Sequence, residues 1–226
     1  MNFSGIKVMK KWGSEHEVLN NGIVSCWYLK IDKYQETSLH MHRNKETAMI
    51  ILSGSARLQE GLTTGRPIVA LDKTRFGAGF FHKHTAIGGD CQLLEVEYPI
   101  DKADLYRFKD AYGRAGKPYE SQEDFKPLTK DDPQFVNGKM KVGATTLRAV
   151  EFINAQAFAG WARKLPPWSI VVITRGSLRS KHGEEVVKPG HANWSHNLPD
   201  LLLDTWPEDR MQVILIWNDR MNGDNV

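Results

Sequence analysis

The stretch Ser38-Leu-His-Met-His-Arg-Asn-Lys-Glu46 places two imidazoles and a carboxylate within seven residues, directly before the apolar run Thr47 to Leu52. His40 and His42 are two apart, a spacing that puts both side chains on one face of a β-strand. A turn after them can bring Glu46 back beside the imidazoles. Neutral imidazole nitrogen and carboxylate oxygen suit one divalent ion such as Zn, Mn, Fe, Co or Ni. The pattern predicts a metal site, with a solvated strand edge as the alternative.

The composition is that of an ordinary globular protein. The 226 residues are 41% hydrophobic and 25% charged, which predicts a packed core and argues against long disorder. This length accommodates one large β domain or two small ones. No apolar stretch reaches the length of a transmembrane helix, and the first residues lack the apolar core of a signal peptide, so we expect a cytoplasmic protein.

Charge and cysteine content exclude further classes. The formal net charge of +3 is close to balance, and we expect neither nucleic acid nor a membrane as a partner. The two cysteines, Cys26 and Cys91, lie in separate strand-like runs and form no metal-binding pair. We expect free buried thiols, with a sequence-distant disulfide as the alternative.

Short segments rich in β-branched and aromatic residues, separated by glycine, fill the chain up to about residue 100. The continuous apolar run Thr47 to Leu52 is typical of a strand buried on both faces, and Gly54 then predicts a kink. Little helical periodicity is present. The pattern predicts a mainly β fold, an antiparallel sandwich or barrel.

A second concentration of histidine follows, again with a spacing of two, at His82 and His84. Both side chains are expected on one face of a strand, where either could complete a metal site begun on another strand. The other one is predicted to face the barrel interior, as a general acid or base or as a structural histidine. Glu95 and Glu97 alternate on the next strand, and we expect at least one of them to be an exposed edge carboxylate.

Residues 101–140 differ in character, being charged and interrupted by prolines. We interpret them as a linker or strap that wraps the first domain, with a helical turn near Leu105 to Tyr112. It contains a cluster of polar residues, Arg107, Asp110, Tyr112 and Arg114. These side chains either belong to a solvated connection or contribute to a substrate pocket or a dimer contact.

A weak internal repeat extends over the rest of the chain. Ile51 to Arg57 and Ile173 to Arg179 are both apolar strands that end in Gly-Ser, an apolar residue and Arg. The second copy has no His-x-His before Trp168, and its other histidines lack ligand spacing. The repeat predicts a metal-binding domain at 1–100, the strap at 101–140 and a degenerate domain without metal ligands at 141–226.

The first histidine motif resembles that of the cupins: a glycine, five residues, His-x-His, three or four residues, Glu, and a later Gly. Tyr34 stands where the family has its leading glycine, and Gly54 comes one residue later than usual. The second cupin motif, Pro-x-Gly-x-x-His, resembles the segment from Gly77 to His82, with Gly77 in place of proline. The resemblance implies a jelly-roll β-barrel and, for the whole chain, a bicupin of two tandem cupin-like domains.

Within the cupins, the chain looks most like the mannose-6-phosphate isomerase-like branch. Lys10-Lys-Trp-Gly-Ser-Glu15 is similar to the entry of those domains, and His82 to Cys91 is similar to their closing run, with one glycine inserted. The resemblance covers about Lys10 to Tyr98, less than half of the chain. It favours His82 over His84 as the fourth metal ligand.

The resemblance implies one divalent metal ion held by His40, His42, Glu46 and His82, with His84 and Glu95 as candidate catalytic residues. It implies a sugar or sugar-phosphate isomerase or epimerase that acts on a small-molecule substrate through a metal-stabilised enediolate. Two alternatives stay open: an iron-dependent cupin dioxygenase and a non-catalytic, metal-dependent sugar-binding module. A homodimer is the expected assembly.

Overall fold

The computed structural model describes residues 2–220, whose contacts divide the chain into two compact units, Met1–Pro133 and Gln134–Val226. Both units are mainly antiparallel β, which confirms the predicted fold class. Neither of the α-helices found within residues 2–220 is long and apolar enough to cross a membrane.

The first unit consists of short strands with one 3-10 turn at Gln122–Asp124. Its strands are β1 (Ile6–Lys10), β2 (Gly13–Asn20), β3 (Ser25–Ile31), β4 (Leu39–Met41), β5 (Glu46–Ser53), β6 (Ser55–Glu60), β7 (Arg66–Val69), β8 (Lys73–Phe76), β9 (His82–Ala86), β10 (Cys91–Tyr98), β11 (Tyr106–Lys109) and β12 (Phe125–Pro127).

These strands form two sheets. One has the order β12-β1-β2-β3-β10-β5-β8 and the other has the order β11-β4-β9-β6-β7. Along β3 to β10 the chain passes back and forth between the sheets, which is the path of a jelly roll. Side chains of both sheets meet in one core, for example Trp27 and Met49 from the first sheet with Leu58 and Ala86 from the second.

Strand β5 and the glycine after it make the corner between the two sheets. The side chains from Thr47 to Leu52 are buried without interruption, as the apolar run predicts. Gly54 has φ +79, and a Cβ there would lie 2.2 Å from the carbonyl oxygen of Asp90. Only glycine fits this close approach, so the chain turns here from β5 into β6 of the opposite sheet.

The predicted strap is largely built into the first unit. Strand β11 pairs with β4, and β12 pairs with β1. The helical turn predicted near Leu105 to Tyr112 is wrong, because Tyr106–Lys109 is a strand that pairs with β4 on the side opposite β9. The Tyr112 hydroxyl donates to the side-chain oxygen of Gln35 and accepts from the N–H of Glu36.

The second unit contains shorter strands and two α-helices, with a 3-10 turn at Ser195–Asn197. Its elements are β13 (Lys139–Val142), β14 (Thr145–Phe152), α1 (Ala155–Ala162), β15 (Ile170–Arg175), β16 (Leu178–Ser180), β17 (Glu185–Val187), β18 (Ala192–Trp194), α2 (Leu198–Asp204), β19 (Thr205–Pro207) and β20 (Met211–Asn218).

Strand order in the second unit parallels that in the first. Its larger sheet, β13-β14-β20-β15-β18, has the same connectivity as β2-β3-β10-β5-β8, and its smaller sheet, β17-β16-β19, has that of β7-β6-β9. The element between β14 and β15 is helix α1, where the first unit has the histidine-bearing strand β4. Asn154 caps α1 by accepting the N–H of Ala157, and Phe158 and Ala162 bury one face of the helix.

Both cysteines are buried and free, as expected from the sequence.

Candidate metal centre

Three histidines of the first unit meet at the inner face of the smaller sheet. Strand β4 pairs with β9 so that His40 lies directly opposite His82. His42 follows β4 and returns to the same side, with its ring centroid 5.2 Å from that of His40 and 5.5 Å from that of His82. One ring nitrogen from each of the three lies within 4.8 Å of the others, so the group could hold a metal ion.

The other ring nitrogen of each histidine is held by the backbone. The Nδ1 atom of His40 lies 2.8 Å from the carbonyl oxygen of Ser38. The Nδ1 atom of His42 lies 2.5 Å from the carbonyl oxygen of Asp104, and that of His82 lies 3.1 Å from the carbonyl oxygen of Phe80. Because a carbonyl oxygen only accepts, the proton sits on Nδ1 and the lone pair on Nε2. A backbone acceptor on the far nitrogen is the usual support of a metal-bound histidine.

The Nε2 atoms of His42 and His82 are buried and have no hydrogen-bond partner among residues 2–220. A buried polar atom without a partner is costly, and a divalent ion would satisfy both at once. The donor set therefore fits the metal that the sequence predicts.

Burial keeps these imidazoles neutral. It lowers the pKa of His82 to about 4. Burial and then the neighbouring imidazoles hold the pKa of His40 well below its usual range, and burial and then the Lys45 ammonium do the same for the pKa of His42. The unprotonated form is the one that coordinates a metal, so the group is ready for ligation at neutral pH.

Glu95 approaches this group from the opposite sheet. It lies on β10, and its Oε1 is 3.8 Å from Nε2 of His42. The expectation that Glu95 or Glu97 is exposed is wrong: only 6% of Glu95 and 1% of Glu97 is accessible, because the inner face of β10 points into the barrel. Burial raises the pKa of Glu95 to about 7, although the Lys102 ammonium 3.9 Å away acts in the opposite direction.

Glu46, the carboxylate of the sequence motif, begins β5. Its Oε2 lies 3.6 Å from Nε of Arg75, and it is not a member of the three-histidine group. Its role as a ligand stays a prediction.

His84 lies two residues beyond His82 on β9 and is just as deeply buried. Neither of its ring nitrogens has a hydrogen-bond partner in the part of the chain that the structure describes. Burial, and then the nearby His82, lower its pKa to about 3. Since only His82 belongs to the three-histidine group, His84 is left as a neutral imidazole facing the same interior.

A cavity of about 50 Å³ adjoins the histidines inside the first unit. Besides His84, charged and hydroxyl-bearing residues make up most of its wall: Lys10, Glu15, Thr37, Ser38, Lys45, Glu95, Glu97, Lys102, Arg107, Arg114, Tyr119 and Glu120. Five of these residues are basic, and each of them has a carboxylate partner within hydrogen-bond or ion-pair distance. The interior is therefore polar and held together by ion pairs.

The strap supplies much of this wall. Arg107 is only 5% exposed and donates to the carbonyl oxygens of Lys117 and Pro118 and to the Glu120 carboxylate. Of the two interpretations of the polar cluster in the sequence, this placement favours a contribution to the pocket. Sequence reasoning missed Lys102 and Asp104 as parts of the site, because no local spacing connects them to the histidine motif.

Comparisons with known proteins complete the description. No family model matches the chain, and no curated protein matches it. Among solved structures, it is similar to KdgF from Halomonas sp., with 14% identity, 43% of this chain and 82% of that chain covered, and a TM-score of 0.37. It is also similar to an uncharacterised conserved protein with a double-stranded β-helix domain from Klebsiella pneumoniae, with 18% identity, coverages of 42% and 84%, and a TM-score of 0.39.

A third similar structure is the capsular polysaccharide assembling protein CapF from Staphylococcus aureus, with 16% identity, 46% of this chain and 34% of that chain covered, and a TM-score of 0.40. Similarities this low carry no argument about activity. The functional conclusion has to come from the site itself.

Proposed function

We propose that the first unit is a divalent-metal-dependent cupin that isomerises or epimerises a sugar or sugar phosphate, in the manner of the mannose-6-phosphate isomerase-like branch. One observation carries the proposal. Three neutral imidazoles converge with their Nδ1 atoms fixed by backbone carbonyls, and a buried carboxylate, Glu95, faces them across the cavity.

His40, His42 and His82 would hold the metal, with Glu46 as the predicted fourth ligand. When bound, the metal supplies Lewis acidity that stabilises negative charge on neighbouring substrate oxygens. The metal could be Zn, Mn, Fe, Co or Ni, since imidazole and carboxylate ligands suit all of them.

Glu95 is proposed as the base that removes a proton from the carbon next to the substrate carbonyl and returns it to the neighbouring carbon. Its carboxylate is buried, accepts no hydrogen bond from the residues described, and lies beside the histidine group. One group that takes the proton from one carbon and returns it to the next is sufficient for isomerisation, and a buried carboxylate can do both.

His84 is proposed as the neutral partner that exchanges a proton with a substrate oxygen. It lines the cavity, and neither of its ring nitrogens is hydrogen-bonded by the described residues, so a hydroxyl or carbonyl of the substrate would satisfy it. A neutral imidazole can donate from one nitrogen and accept at the other.

The size of the cavity restricts the reacting group. About 50 Å³ corresponds to about three or four water positions, enough for a carbonyl carbon with its neighbouring hydroxyl-bearing carbon.

The second unit is proposed as a degenerate cupin-like domain. Its two sheets repeat the strand order of the first unit, and helix α1 stands where strand β4 carries its histidines. A homodimer and a cytoplasmic location remain part of the proposal.

The test begins with elemental analysis of the purified full chain. The metal found is then supplied in a screen of aldoses, ketoses and their phosphates in D2O, with deuterium incorporation at carbon followed by NMR. Interconversion with exchange at the carbon next to the carbonyl is the expected result. Oxygen consumption that requires Fe(II) would show that the protein is an oxygenase and not an isomerase. Binding of metal and sugar without exchange or turnover would show that it is a non-catalytic binding module.

A further inference from the structure

Asp104 contacts the histidine motif in two ways at once. Its carbonyl oxygen accepts the Nδ1 proton of His42 at 2.5 Å. Its carboxylate accepts hydrogen bonds from the backbone N–H groups of the three residues that follow His42: Arg43 at 2.8 Å, Asn44 at 2.8 Å and Lys45 at 3.1 Å. Asp104 is itself only 8% exposed, so these contacts are shielded from water.

Three successive N–H groups that converge on one carboxylate form a concave anion site in the backbone. In this protein the loop 43–45 forms that site, and the Asp104 carboxylate occupies it. Hydrogen bonds to an ionised acceptor are about twice as strong as neutral ones. The conformation of the loop that follows His42 therefore depends on a side chain 62 residues away.

His42 differs in this respect from its two partners. His40 and His82 each donate to a carbonyl oxygen two residues earlier in the chain, that of Ser38 just before β4 and that of Phe80 just before β9. Both contacts are local in the sequence. The orientation of His42 requires the docked strap.

Lys45 strengthens the same attachment. Its N–H binds the Asp104 carboxylate, and its buried ammonium donates to the carbonyl oxygen of Asp101 at 2.9 Å and to the Glu97 carboxylate at 2.8 Å. The strap thus holds the loop through the Asp104 carboxylate on its backbone and through the Asp101 carbonyl oxygen on the Lys45 ammonium.

We propose that Asp104 is a positioning residue of the metal centre: it holds the loop 43–45 and fixes the orientation of His42, so that the affinity for metal depends on the docking of the strap. This inference rests on the proposed metal site. It assigns to residues 101–104 a role in metal affinity that is separate from any contact with substrate.

The test uses the full chain with Asp104→Asn and Asp104→Ala. The first variant keeps the shape of the side chain and the backbone carbonyl, but it turns an amide NH2 toward N–H donors. The second removes the acceptor altogether. The control is Asp132→Ala, which removes a carboxylate that binds the N–H and hydroxyl of Thr129 and the ammonium of Lys7 and is not part of the three-histidine group.

Metal affinity is measured by competition with a chelator, and the geometry of the site by the visible spectrum of the Co2+-loaded protein. Loss of such a supporting contact typically weakens metal binding by about 10- to 100-fold. We expect this loss, and a changed Co2+ spectrum, in both Asp104 variants. The control should keep affinity and spectrum even if it melts at a lower temperature.

Wild-type affinity and an unchanged spectrum in a folded Asp104→Asn protein would overturn the inference and leave the metal site intact. If Asp104→Ala does not fold, Asp104→Asn decides alone. A wild-type chain that binds no metal would overturn the metal site and this inference together. Metal binding without any sugar turnover would count only against the isomerase activity.

Discussion

Oε1 of Glu95 lies 3.8 Å from Nε2 of His42, although the two residues belong to opposite sheets of the barrel. His42 follows strand β4 of the smaller sheet, and Glu95 lies near the middle of β10 in the larger one. The inner faces of the two sheets therefore bring an acidic group to the open side of an imidazole whose other nitrogen is already bound.

Replacing His40 and His42 together by Ala should remove stoichiometric metal from the purified protein, since two of three converging nitrogens are lost. Elemental analysis checks this. The matched control replaces two histidines of the second unit, His182 and His196, which are exposed and outside the group. Full retention of metal in the His40/His42 variant would end the ligand assignment.

Glu95→Gln should abolish isomerisation while leaving metal content unchanged. The amide keeps the shape of the side chain but cannot accept the proton, and loss of a general base costs about 100- to 10,000-fold in rate. Turnover and deuterium exchange are compared with metal content in the same preparation. Glu60→Gln, which removes a carboxylate paired with Arg66 at the surface, is the control. Loss of metal along with activity would instead identify Glu95 as a ligand.

Glu46 and Arg75 offer a test of the predicted fourth ligand. If Glu46 binds the metal, its carboxylate has to exchange Arg75, now 3.6 Å away, for the ion. Glu46→Gln should then weaken metal binding by about tenfold or more. Arg75→Ala should strengthen it by about two- to threefold, because a partly exposed ion pair contributes little and competes for the carboxylate. Titration of the apo-protein measures both. Unchanged affinity in both variants would show that Glu46 serves only its ion pair.

Acid sensitivity of the first unit should depend on Glu15. Burial by itself would raise its pKa, but the ammonium groups of Lys10 and Lys102 and the Tyr119 hydroxyl outweigh burial and lower the pKa to about 2. A carboxyl group with a lowered folded-state pKa stabilises the fold above its unfolded value of about 4.5. That stabilisation, about 3 kcal/mol for a shift of this size, is lost as the pH falls from about 4.5 toward 2.

Glu15→Gln should therefore reduce the free energy of unfolding at neutral pH and make it less dependent on pH below about 4.5. Urea unfolding of the full chain at several pH values between 7 and 3 measures this. Glu123→Gln, at an exposed position, controls for the loss of one carboxylate. An equally steep acid dependence in both variants would contradict the role of Glu15.

Local sequence patterns predict the strands that carry the site residues more successfully than the contacts that these strands make with distant parts of the chain. The spacing of two in His40-x-His42 and His82-x-His84 correctly predicts side chains that share a face, because alternation is a property of any strand. The apolar run Thr47 to Leu52 predicts a doubly buried strand for the same reason. The same patterns do not predict the burial of the strap. Its charged residues can be buried because they form ion pairs with residues that the folded structure brings near them.

Sequence patterns predict the mainly β, antiparallel fold, the free buried cysteines, and a metal site that begins at His40 and His42 and is completed by His82 or His84. The packing of the two sheets selects His82 for the three-histidine group, buries Glu95 beside His42, surrounds the cavity with paired charges of the strap, and places Asp104 against the loop after His42. The difference has a physical cause. Strand periodicity and apolar patterning act over a few residues, whereas the contacts of Glu95 and Asp104 join segments more than 50 residues apart, which no local pattern encodes.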